Sequence, residues 1–291
     1  MLFTMKDAEN LSGIKDHTIR AWEKRYSILN PHRSLANIRY YDSLEIKTIL
    51  NIALLNKYGH KISAIAKMPE SVIRTEINFV AKKTDIVINE LIHKIIDADI
   101  VGFEKLLQTH TNNEGLQNTV LKILSPLLEK SETLWQLKNI NPALKLWVCF
   151  IIKQKIFAAL EKIKNPDTKN PKCACLFLPQ CATNDMGLLL MSYLLKSSGY
   201  NIIYLGTDVP IQEVEFICKS KNPDFLYIHL SAPEIKFKFN KFISEVEKYF
   251  NKKEVIISGK IPQFYHRKNL SKIIFKPSVK ESFHFIQTSI L

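Results

Sequence analysis

Hydrophobic residues recur at helical spacing near the start of the chain, and basic residues occupy the positions between them. A helix with this pattern has one apolar face to bury and one cationic face left outside. The apolar positions are Ile14, Ile19, Trp22 and Tyr26. Pro31 predicts the end of this helix, because proline lacks a backbone donor and restricts the residue before it. Residues 32–41 then predict a short basic hairpin that ends in two tyrosines.

Capping signals predict further helices on both sides of this stretch. Thr4 and Asp7 have the spacing of a capping box at the start of a first helix, and Gly13 permits a sharp turn into the second. Asp42 and Glu45 repeat the capping-box spacing after the hairpin. Helix, turn, basic helix and hairpin together predict a winged helix-turn-helix.

Helical periodicity continues without a strand signal as far as residue 164. Apolar residues recur three and four positions apart, for example at Ile88, Leu91, Ile92 and Ile95. Consecutive helices joined by short loops pack as antiparallel bundles, so a four-helix bundle is expected here. A polar stretch with two prolines at 165–171 predicts a linker.

The remainder of the chain alternates short apolar runs with amphipathic segments. Such alternation predicts strand–helix units that form a parallel sheet with helices on both faces. We expect a Rossmann-like domain with five strands in the flavodoxin-like order. The expected strands lie at 173–178, 201–205, 225–230, 255–258 and 273–275. The expected domains are the winged helix-turn-helix at 1–75, the helical bundle at 76–165 and the α/β domain at 172–291.

Charge and hydropathy narrow the choice of partners. The 291 residues carry a formal net charge of +13, which favours polyanions such as nucleic acid or acidic lipid. Basic residues are spread along the whole chain, so the local pattern around Trp22 is stronger evidence than the total. No apolar run approaches the ~18 residues that span a bilayer, and no signal peptide is visible. We expect a cytoplasmic protein that has no membrane partner.

The five cysteines lack the spacing of a disulfide framework. Cys173 and Cys175 would point to the same face of a strand, but no cysteine or histidine stands nearby at a metal-ligand spacing. Buried or half-buried free thiols are therefore expected, and no metal site.

Four runs in the first 42 residues match a known pattern in order and spacing. They are Met5-Lys6-Asp7, Leu11-Ser12-Gly13-Ile14, the run from Thr18 to Tyr26 and the run from Asn37 to Asp42. They resemble the DNA-binding domain of the MerR family of bacterial transcription regulators. The resemblance implies a recognition helix in the major groove of double-stranded DNA and a wing on the phosphates. The residues implied in DNA binding are Lys15, His17, Thr18, Arg20, Lys24, Arg25, Arg33, Arg39 and Tyr40. The alternatives are a basic surface helix without a DNA partner, and an Arg39 that only braces the hairpin.

Further runs extend the resemblance over almost the whole chain. They are Leu134-Trp135, Asn141-Pro142-Ala143, 176–179, 187–190 and 203–210. They resemble the cobalamin-binding module of CarH-type regulators, which join a MerR head to a helical bundle and a Rossmann-like domain. The positions that correspond to that cofactor site are Trp135, Lys145, Leu146, Ala182, Asn184, Gly187, Ser258 and Gly259.

The loop expected to ligate cobalt departs from the family pattern. The family has Asp/Glu-x-His-x-x-Gly, and counting back from Gly187 places Asn184 at the histidine and Ala182 at the acidic residue. An amide is a poor cobalt ligand compared with imidazole. Thr183, Asn184 and Asp185 form a polar cluster that either holds another ligand or, as we prefer, caps the following helix.

Two further markers are absent. Ten residues after Trp135 the family has Glu-His over the corrin, and this chain has Lys145 and Leu146. The family also has paired glycines that make room for the nucleotide tail, and here Ser258 precedes Gly259. The sequence therefore predicts a scaffold without the histidine-on cobalamin site, and no cofactor.

Three functions remain to be compared. The first is a DNA-binding transcription regulator that works as a homo-oligomer, with a sensory or oligomerisation module that does not bind cobalamin. The alternative is a cobalamin- or light-responsive repressor that retains the cofactor. The third is an enzyme of the cobalamin-dependent mutase or methyltransferase kind that uses only the C-terminal sheet. An enzyme is not expected, because the ligand histidine and a large substrate barrel are absent and a DNA-binding head is attached. No nucleophile–base pair, carboxylate dyad or glycine-rich phosphate loop is apparent either.

Overall fold

The structure, a computed structural model, describes residues 2–136, 141–164, 171–231, 237–260 and 272–289, with side chains for all of these except 132–136. The chain divides into two compact units, Met1–Cys149 and Phe150–Leu291. The boundary predicted at 75/76 falls inside the first unit and stays a prediction. The predicted linker lies almost wholly outside the described residues.

The first unit begins with a small antiparallel sheet and two short helices. Its first elements are β1 (Phe3–Thr4), α1 (Met5–Ser12), α2 (Asp16–Tyr26), β2 (His32–Arg33), β3 (Arg39–Tyr41), α3 (Ser43–Lys57) and α4 (Ile62–Ile65). The strands lie in the order β1-β3-β2. Both predicted capping boxes are confirmed, at Thr4 with Asp7 and at Asp42 with Glu45.

The end of α2 differs from the prediction. The helix does not continue to Pro31 but stops at Tyr26, because Ser27 takes a left-handed conformation with φ 52°. The Ser27 N–H donates to the Glu23 carbonyl and closes the last turn at 3.2 Å. The residues between Ser27 and β2 therefore form a loop, which leads from the helix into the hairpin.

Helices make up the rest of the first unit. They are α5 (Glu70–Val80), α6 (Lys83–Ile96), α7 (Ile100–Glu114), α8 (Leu116–Thr119), α9 (Ser125–Gln136) and the start of α10 (Pro142–Lys162). A π-helical turn at Val120–Leu124 joins α8 to α9. Helix α9 packs against α1, so the head and the helices after it share one compact unit.

The second unit contains a five-stranded parallel sheet. Its elements are β4 (Cys173–Pro179), α11 (Met186–Ser197), β5 (Asn201–Val209), α12 (Ile211–Lys221), β6 (Phe225–His229), α13 (Phe239–Tyr249), β7 (Glu254–Ser258), β8 (Ile273–Lys276) and α14 (Val279–Ser289). The order β5-β4-β6-β7-β8 confirms the predicted flavodoxin-like arrangement. The central strands β4, β6 and β7 are almost completely buried, as expected for a sheet covered on both faces.

The state of the cysteines agrees with the expectation from the sequence at every position but one. All five cysteines are free, but Cys181 is exposed, contrary to the expectation of buried or half-buried thiols. Burial raises the pKa of Cys175 to about 12, so this thiol stays protonated. Over the described part of the chain, no helix is long and apolar enough to cross a membrane.

Candidate nucleic-acid interface and strand-end site

Helix α2 presents a cationic face because its apolar face is fixed in the core. Ile19 and Trp22 are buried, and Trp22 packs in one cluster with Ile52 of α3, Ile65 of α4 and Ile73 of α5. Burial of each large side chain contributes about 1.5–3 kcal/mol to stability. The orientation of α2 is thus set by three neighbouring helices.

The predicted DNA-binding residues lie mostly at the surface. The exposed ones are Lys15, His17, Arg20, Lys24, Arg25 and Arg33, and the half-buried ones are Thr18, Arg39 and Tyr40. Lys15 Nζ lies 3.3 Å from a Glu9 oxygen, and an Arg20 nitrogen lies 3.6 Å from Asp16. Exposed ion pairs of this kind are worth about 0–1 kcal/mol, so a phosphate can replace the carboxylate at little cost.

Glu23 connects the hairpin to α2. Arg39 Nε donates to one Glu23 oxygen at 2.8 Å, and the Tyr41 hydroxyl donates to the other. The Arg39 and Glu23 side chains are only 20% and 9% exposed. Burial and the Glu23 hydrogen bond raise the pKa of Tyr41 well above its usual range, so Tyr41 remains a donor. Sequence reasoning missed Glu23, because its partners come from a strand 16 and 18 residues away.

The outer end of the hairpin exposes an apolar side chain that sequence reasoning also missed. Leu35 is fully exposed there, between Ser34 and Asn37, whose backbone groups close the turn at 2.8 Å. Arg33 donates to the Asn37 side chain at 2.7 Å on the same exposed segment. The exposed end of the hairpin therefore carries the cation Arg33 and two exposed apolar side chains, Leu35 and Ile38.

Two substitutions in the hairpin, Arg39→Ala and Arg33→Ala, are expected to have different effects. The first should lower stability, and the second should change DNA binding. Arg39→Ala should lower the free energy of unfolding by about 1–3 kcal/mol, because it leaves the half-buried Glu23 carboxylate without its cation. Arg33→Ala should leave stability within ~0.5 kcal/mol of the wild type. It should instead flatten the dependence of DNA affinity on salt by about one unit of slope, through the loss of one phosphate contact.

Urea unfolding and salt-dependent DNA titrations of both variants make this comparison. Equal stability of Arg39→Ala and the wild type would show that the Glu23 pair does not fix the hairpin. An unchanged salt slope for Arg33→Ala would remove Arg33 from the interface.

In the second unit, the loop after β4 holds the positions that correspond to cobalt ligation. Ala182 is buried. Asn184 Nδ2 donates to the Ser231 hydroxyl at 3.0 Å. Asp185 is the N-cap residue of α11 but makes no side-chain capping bond, and its carboxylate pairs with Lys153 of α10 at 2.7 Å. The capping interpretation is therefore not confirmed for Asp185, which pairs with a lysine, whereas Asn184 Oδ1 accepts a hydrogen bond from the Met186 N–H of α11 at 3.5 Å.

A buried polar group lies beneath the first turn of α11. Ser258 Oγ lies 2.6 Å from the Tyr227 hydroxyl and 2.7 Å from His229 Nδ1. All three side chains are buried, and His229 pairs with Ser258 in the register of β6 and β7. Desolvation lowers the pKa of His229 to about 4, so the imidazole is neutral. The His229 ring lies so close to Gly187 that a Cβ there would overlap it.

Gly259 stands at the second of the paired glycine positions, and its backbone geometry explains why a glycine is present there. Gly259 has φ 108°, and a Cβ on it would overlap the Leu230 carbonyl. Gly259 thus allows the end of β7 to approach the end of β6 closely. Sequence reasoning identified Ser258, Gly187 and Gly259, but it missed Tyr227 and His229 because they look like ordinary strand residues.

The positions predicted from the helical part belong to α9 and α10. Leu146 is 70% exposed and Lys145 is half-buried. Trp135 lies in α9, and its side chain is outside the described residues. Among the described residues, no group of three or more His, Cys, Asp or Glu side chains could hold a metal ion.

The structure has a head with the helix-turn-helix elements α1 and α2, followed by further helices and by a domain with a five-stranded parallel sheet. Residues 3–71 match the MerR HTH family regulatory protein. Two HTH-type transcriptional repressors of Myxococcus xanthus are similar over most of their length. CarA is 25% identical over 80% of this chain and 79% of its own, and CarH is 23% identical over 75% of each.

The likeness to solved structures concerns the fold. The monomethylamine corrinoid protein of Methanosarcina barkeri has a TM-score of 0.54 and 14% identity to this chain. The match covers 72% of this chain and 100% of the corrinoid protein. The described helices and the parallel sheet therefore belong to a fold that is also used by a corrinoid protein.

In the described part of the second unit, two positions that the resemblance assigns to a cobalamin site hold side chains that bond to other protein groups. The position that corresponds to the ligand is the amide Asn184, which is hydrogen-bonded to Ser231. The position of the family's first paired glycine is Ser258, which is bonded to His229 and Tyr227. One side chain larger than glycine, that of Ser258, thus stands where the resemblance implies room for the nucleotide tail.

Proposed function

We propose that this chain is a sequence-specific transcription regulator that binds double-stranded DNA through its MerR-type head. The observation that carries the proposal is the exposed basic face of α2, fixed beside the hairpin by Glu23 within the segment that matches the MerR family. The hairpin acts as the wing, so the head at 1–75 is a winged helix-turn-helix. The helices at 76–165 serve as a four-helix bundle that connects the head to the α/β domain at 172–291.

We further propose that the protein is not an enzyme, works in the cytoplasm and holds no cobalamin by a protein–cobalt bond. The similar repressors of Myxococcus xanthus support a regulatory role. The amide at Asn184 and the buried group of Tyr227, His229 and Ser258 support the loss of the cofactor site. The α/β domain then serves as a sensory or oligomerisation module.

Selection of binding sites from a random duplex library tests the function. Enrichment of one short motif by the full-length protein is the expected result, and recovery of only unrelated sequences would contradict it. Absorbance titrations with adenosylcobalamin and methylcobalamin, in the dark and after illumination, should show no spectrum of histidine ligation. That spectrum, with light-dependent DNA affinity, would establish the alternative, a light-responsive repressor that retains the cofactor.

The protein is expected to bind its operator as a homodimer or a larger oligomer. One head contacts too few base pairs to select a site within a genome, and dimeric helix-turn-helix proteins bind half-sites about 10 base pairs or a multiple apart. Light scattering of the complex with a selected duplex gives the stoichiometry. A 1:1 complex with full affinity would contradict this expectation.

A further inference from the structure

The second unit carries most of the surplus positive charge of the chain. Residues 150–291 contain 21 lysine and arginine residues and 12 aspartate and glutamate residues, so they supply nine of the thirteen net positive charges. None of the residues assigned to DNA binding belongs to this unit. A surplus of this size attracts polyanions, and its distribution over the surface decides where they bind.

The parallel sheet brings several of these cations together. Because the five strands run in one direction, the residues that precede the strands lie along the same border of the sheet. Lysines stand there directly before β4, β7 and β8, and another is the last residue of α12, which leads into β6. We call these lysines the amino rim, which consists of Lys172, Lys221, Lys252, Lys253 and Lys272.

Backbone hydrogen bonds fix the two ends of the amino rim. The Lys172 carbonyl accepts from the Asn201 N–H at 2.8 Å, and the Lys272 carbonyl accepts from the Val255 N–H at 2.9 Å. The strands β4, β6, β7 and β8 are neighbours in the sheet, about 4.8 Å apart, so the rim extends over about 14 Å. This length is comparable to the ~12 Å width of the major groove of DNA.

The lysines of the amino rim are not paired with carboxylates. Lys221, Lys252 and Lys272 are exposed. Within the described residues of this unit, the ion pairs formed by lysine use other lysines, on α10, α12 and α13. Lys253 Nζ donates to the Pro223 carbonyl at 2.7 Å, a bond that leaves its charge in place. The rim therefore presents cations that an anion can approach.

Two features oppose this positive charge without cancelling it. The carboxylates Asp224 and Glu254 lie at the same border, and Asp224 accepts a hydrogen bond from the Cys173 N–H at 2.6 Å. Helices α11, α12 and α13 also end there with partial negative charge, which a lysine in the last turn of each helix offsets. With five lysines and two carboxylates, the border keeps a formal net charge of +3.

We propose that the amino rim is a second surface that binds duplex DNA, through its phosphates and without reading its bases. Contacts to phosphate hold a protein on the duplex but carry no sequence information directly. An anionic bilayer fits less well, because helices that lie on membranes insert aromatic or aliphatic side chains. Among the described residues of this unit, no exposed large apolar side chain is next to a rim lysine in the chain. Binding of duplex DNA by the rim does not depend on the head, whereas its part in operator binding rests on the proposed function.

Replacing the three exposed lysines of the rim tests the proposal on the full chain. Lys221→Gln with Lys252→Gln and Lys272→Gln should weaken binding to a duplex of unrelated sequence at least ~10-fold. It should also flatten the dependence of affinity on salt by about two to three units of slope, because each lost phosphate contact removes about 0.9 units. Fluorescence anisotropy with a labelled duplex of about 30 base pairs, between about 50 and 200 mM salt, measures both quantities. Lys221→Arg with Lys252→Arg and Lys272→Arg keeps the charge and should keep the slope of the wild type.

The matched control removes the same charge from the opposite border of the sheet. Lys238, Lys241 and Lys280 are exposed and stand at the starts of α13 and α14. Lys238→Gln with Lys241→Gln and Lys280→Gln should alter the slope by less than about one unit. Equal effects of the two glutamine variants would show that total charge, and not the rim, attracts DNA. An unchanged slope in the rim variant would also overturn the proposal.

Competition with lipid distinguishes DNA from a membrane as the partner of the rim. Vesicles of phosphatidylcholine with about 30% phosphatidylserine should displace the labelled duplex from the wild type only at a ~10-fold or larger excess of anionic charge. Displacement at equal charge, or loss of vesicle binding in the rim variant with unchanged DNA binding, would assign the rim to a membrane and overturn the proposal.

The part of the rim in operator binding has a separate readout. An operator lengthened by about 20 base pairs should bind the wild type at least ~3-fold more tightly than the short operator, and the rim variant should lose this gain. A flattened slope without this gain would overturn the part of the rim in operator binding. Failure to select any operator would contradict the proposed function, and the slope with unrelated DNA would still decide whether the rim binds DNA.

Discussion

Replacing Lys15 and Thr18 together with alanine is expected to weaken binding to a selected operator at least about 30-fold. Helix-turn-helix proteins contact bases with the first residues of the recognition helix. Lys15 is the N-cap residue of α2 and Thr18 lies in its first turn. Each base contact is worth about 1–3 kcal/mol, and a loss of about 2 kcal/mol corresponds to the stated factor. The variant should also tolerate base changes within the half-site that the wild type rejects.

The matched control removes the same two residue types elsewhere in the first unit. Lys105 and Thr109 are both exposed and lie four residues apart on α7. Lys105→Ala with Thr109→Ala should keep operator affinity within about two-fold of the wild type. Both residues are far from α2 in the sequence, and neither belongs to the proposed DNA interface. Fluorescence anisotropy with a labelled operator measures both variants. Unchanged affinity and specificity of the Lys15 and Thr18 variant would show that α2 does not contact the bases.

Local signals account for the parts of the fold that the sequence predicted well. Both capping boxes, the turn at Gly13 and the strand–helix alternation depend on neighbouring residues, and all of them are confirmed. The end of α2 was predicted wrongly for a related reason. Pro31 is a conspicuous stop signal, but the helix ends earlier, at Tyr26, because the backbone of Ser27 is left-handed. No stop signal of comparable strength is visible in the sequence at Ser27.

Tertiary contacts account for what the sequence did not predict. Glu23 acquires its role only when β3 brings Arg39 and Tyr41 beside α2. In the same way, His229 and Ser258 are 29 residues apart and meet through the parallel register of β6 and β7. Counting motif positions identifies a missing histidine or glycine, but it does not reveal which side chain fills the space instead.

Restoring the ligands is expected to produce cobalamin binding only when the buried polar group is also removed. Asn184→His with Ala182→Glu supplies an imidazole and a carboxylate that can orient it. His229→Gly with Ser258→Gly removes the imidazole that packs against Gly187 and the side chain at the position of the family's first paired glycine. The variant with all four changes should show the spectrum of histidine ligation with adenosylcobalamin. Its apparent affinity should exceed that of the wild type at least ~10³-fold, which corresponds to about 4 kcal/mol.

The two double variants test separately whether the ligand at position 184 or the space taken by His229 and Ser258 limits cobalamin binding. Asn184→His with Ala182→Glu should remain close to the wild type, because His229 still packs against Gly187 at the first turn of α11. His229→Gly with Ser258→Gly should at most admit cobalamin weakly in its base-on form. It should also be less stable in urea, since the buried Tyr227 hydroxyl loses its partner at Ser258. If the two ligand changes alone bind as tightly as all four, the buried group is no barrier and the amide at Asn184 by itself explains the loss. If the wild type shows the histidine-ligated spectrum, the scaffold has kept its cofactor through a residue other than Asn184.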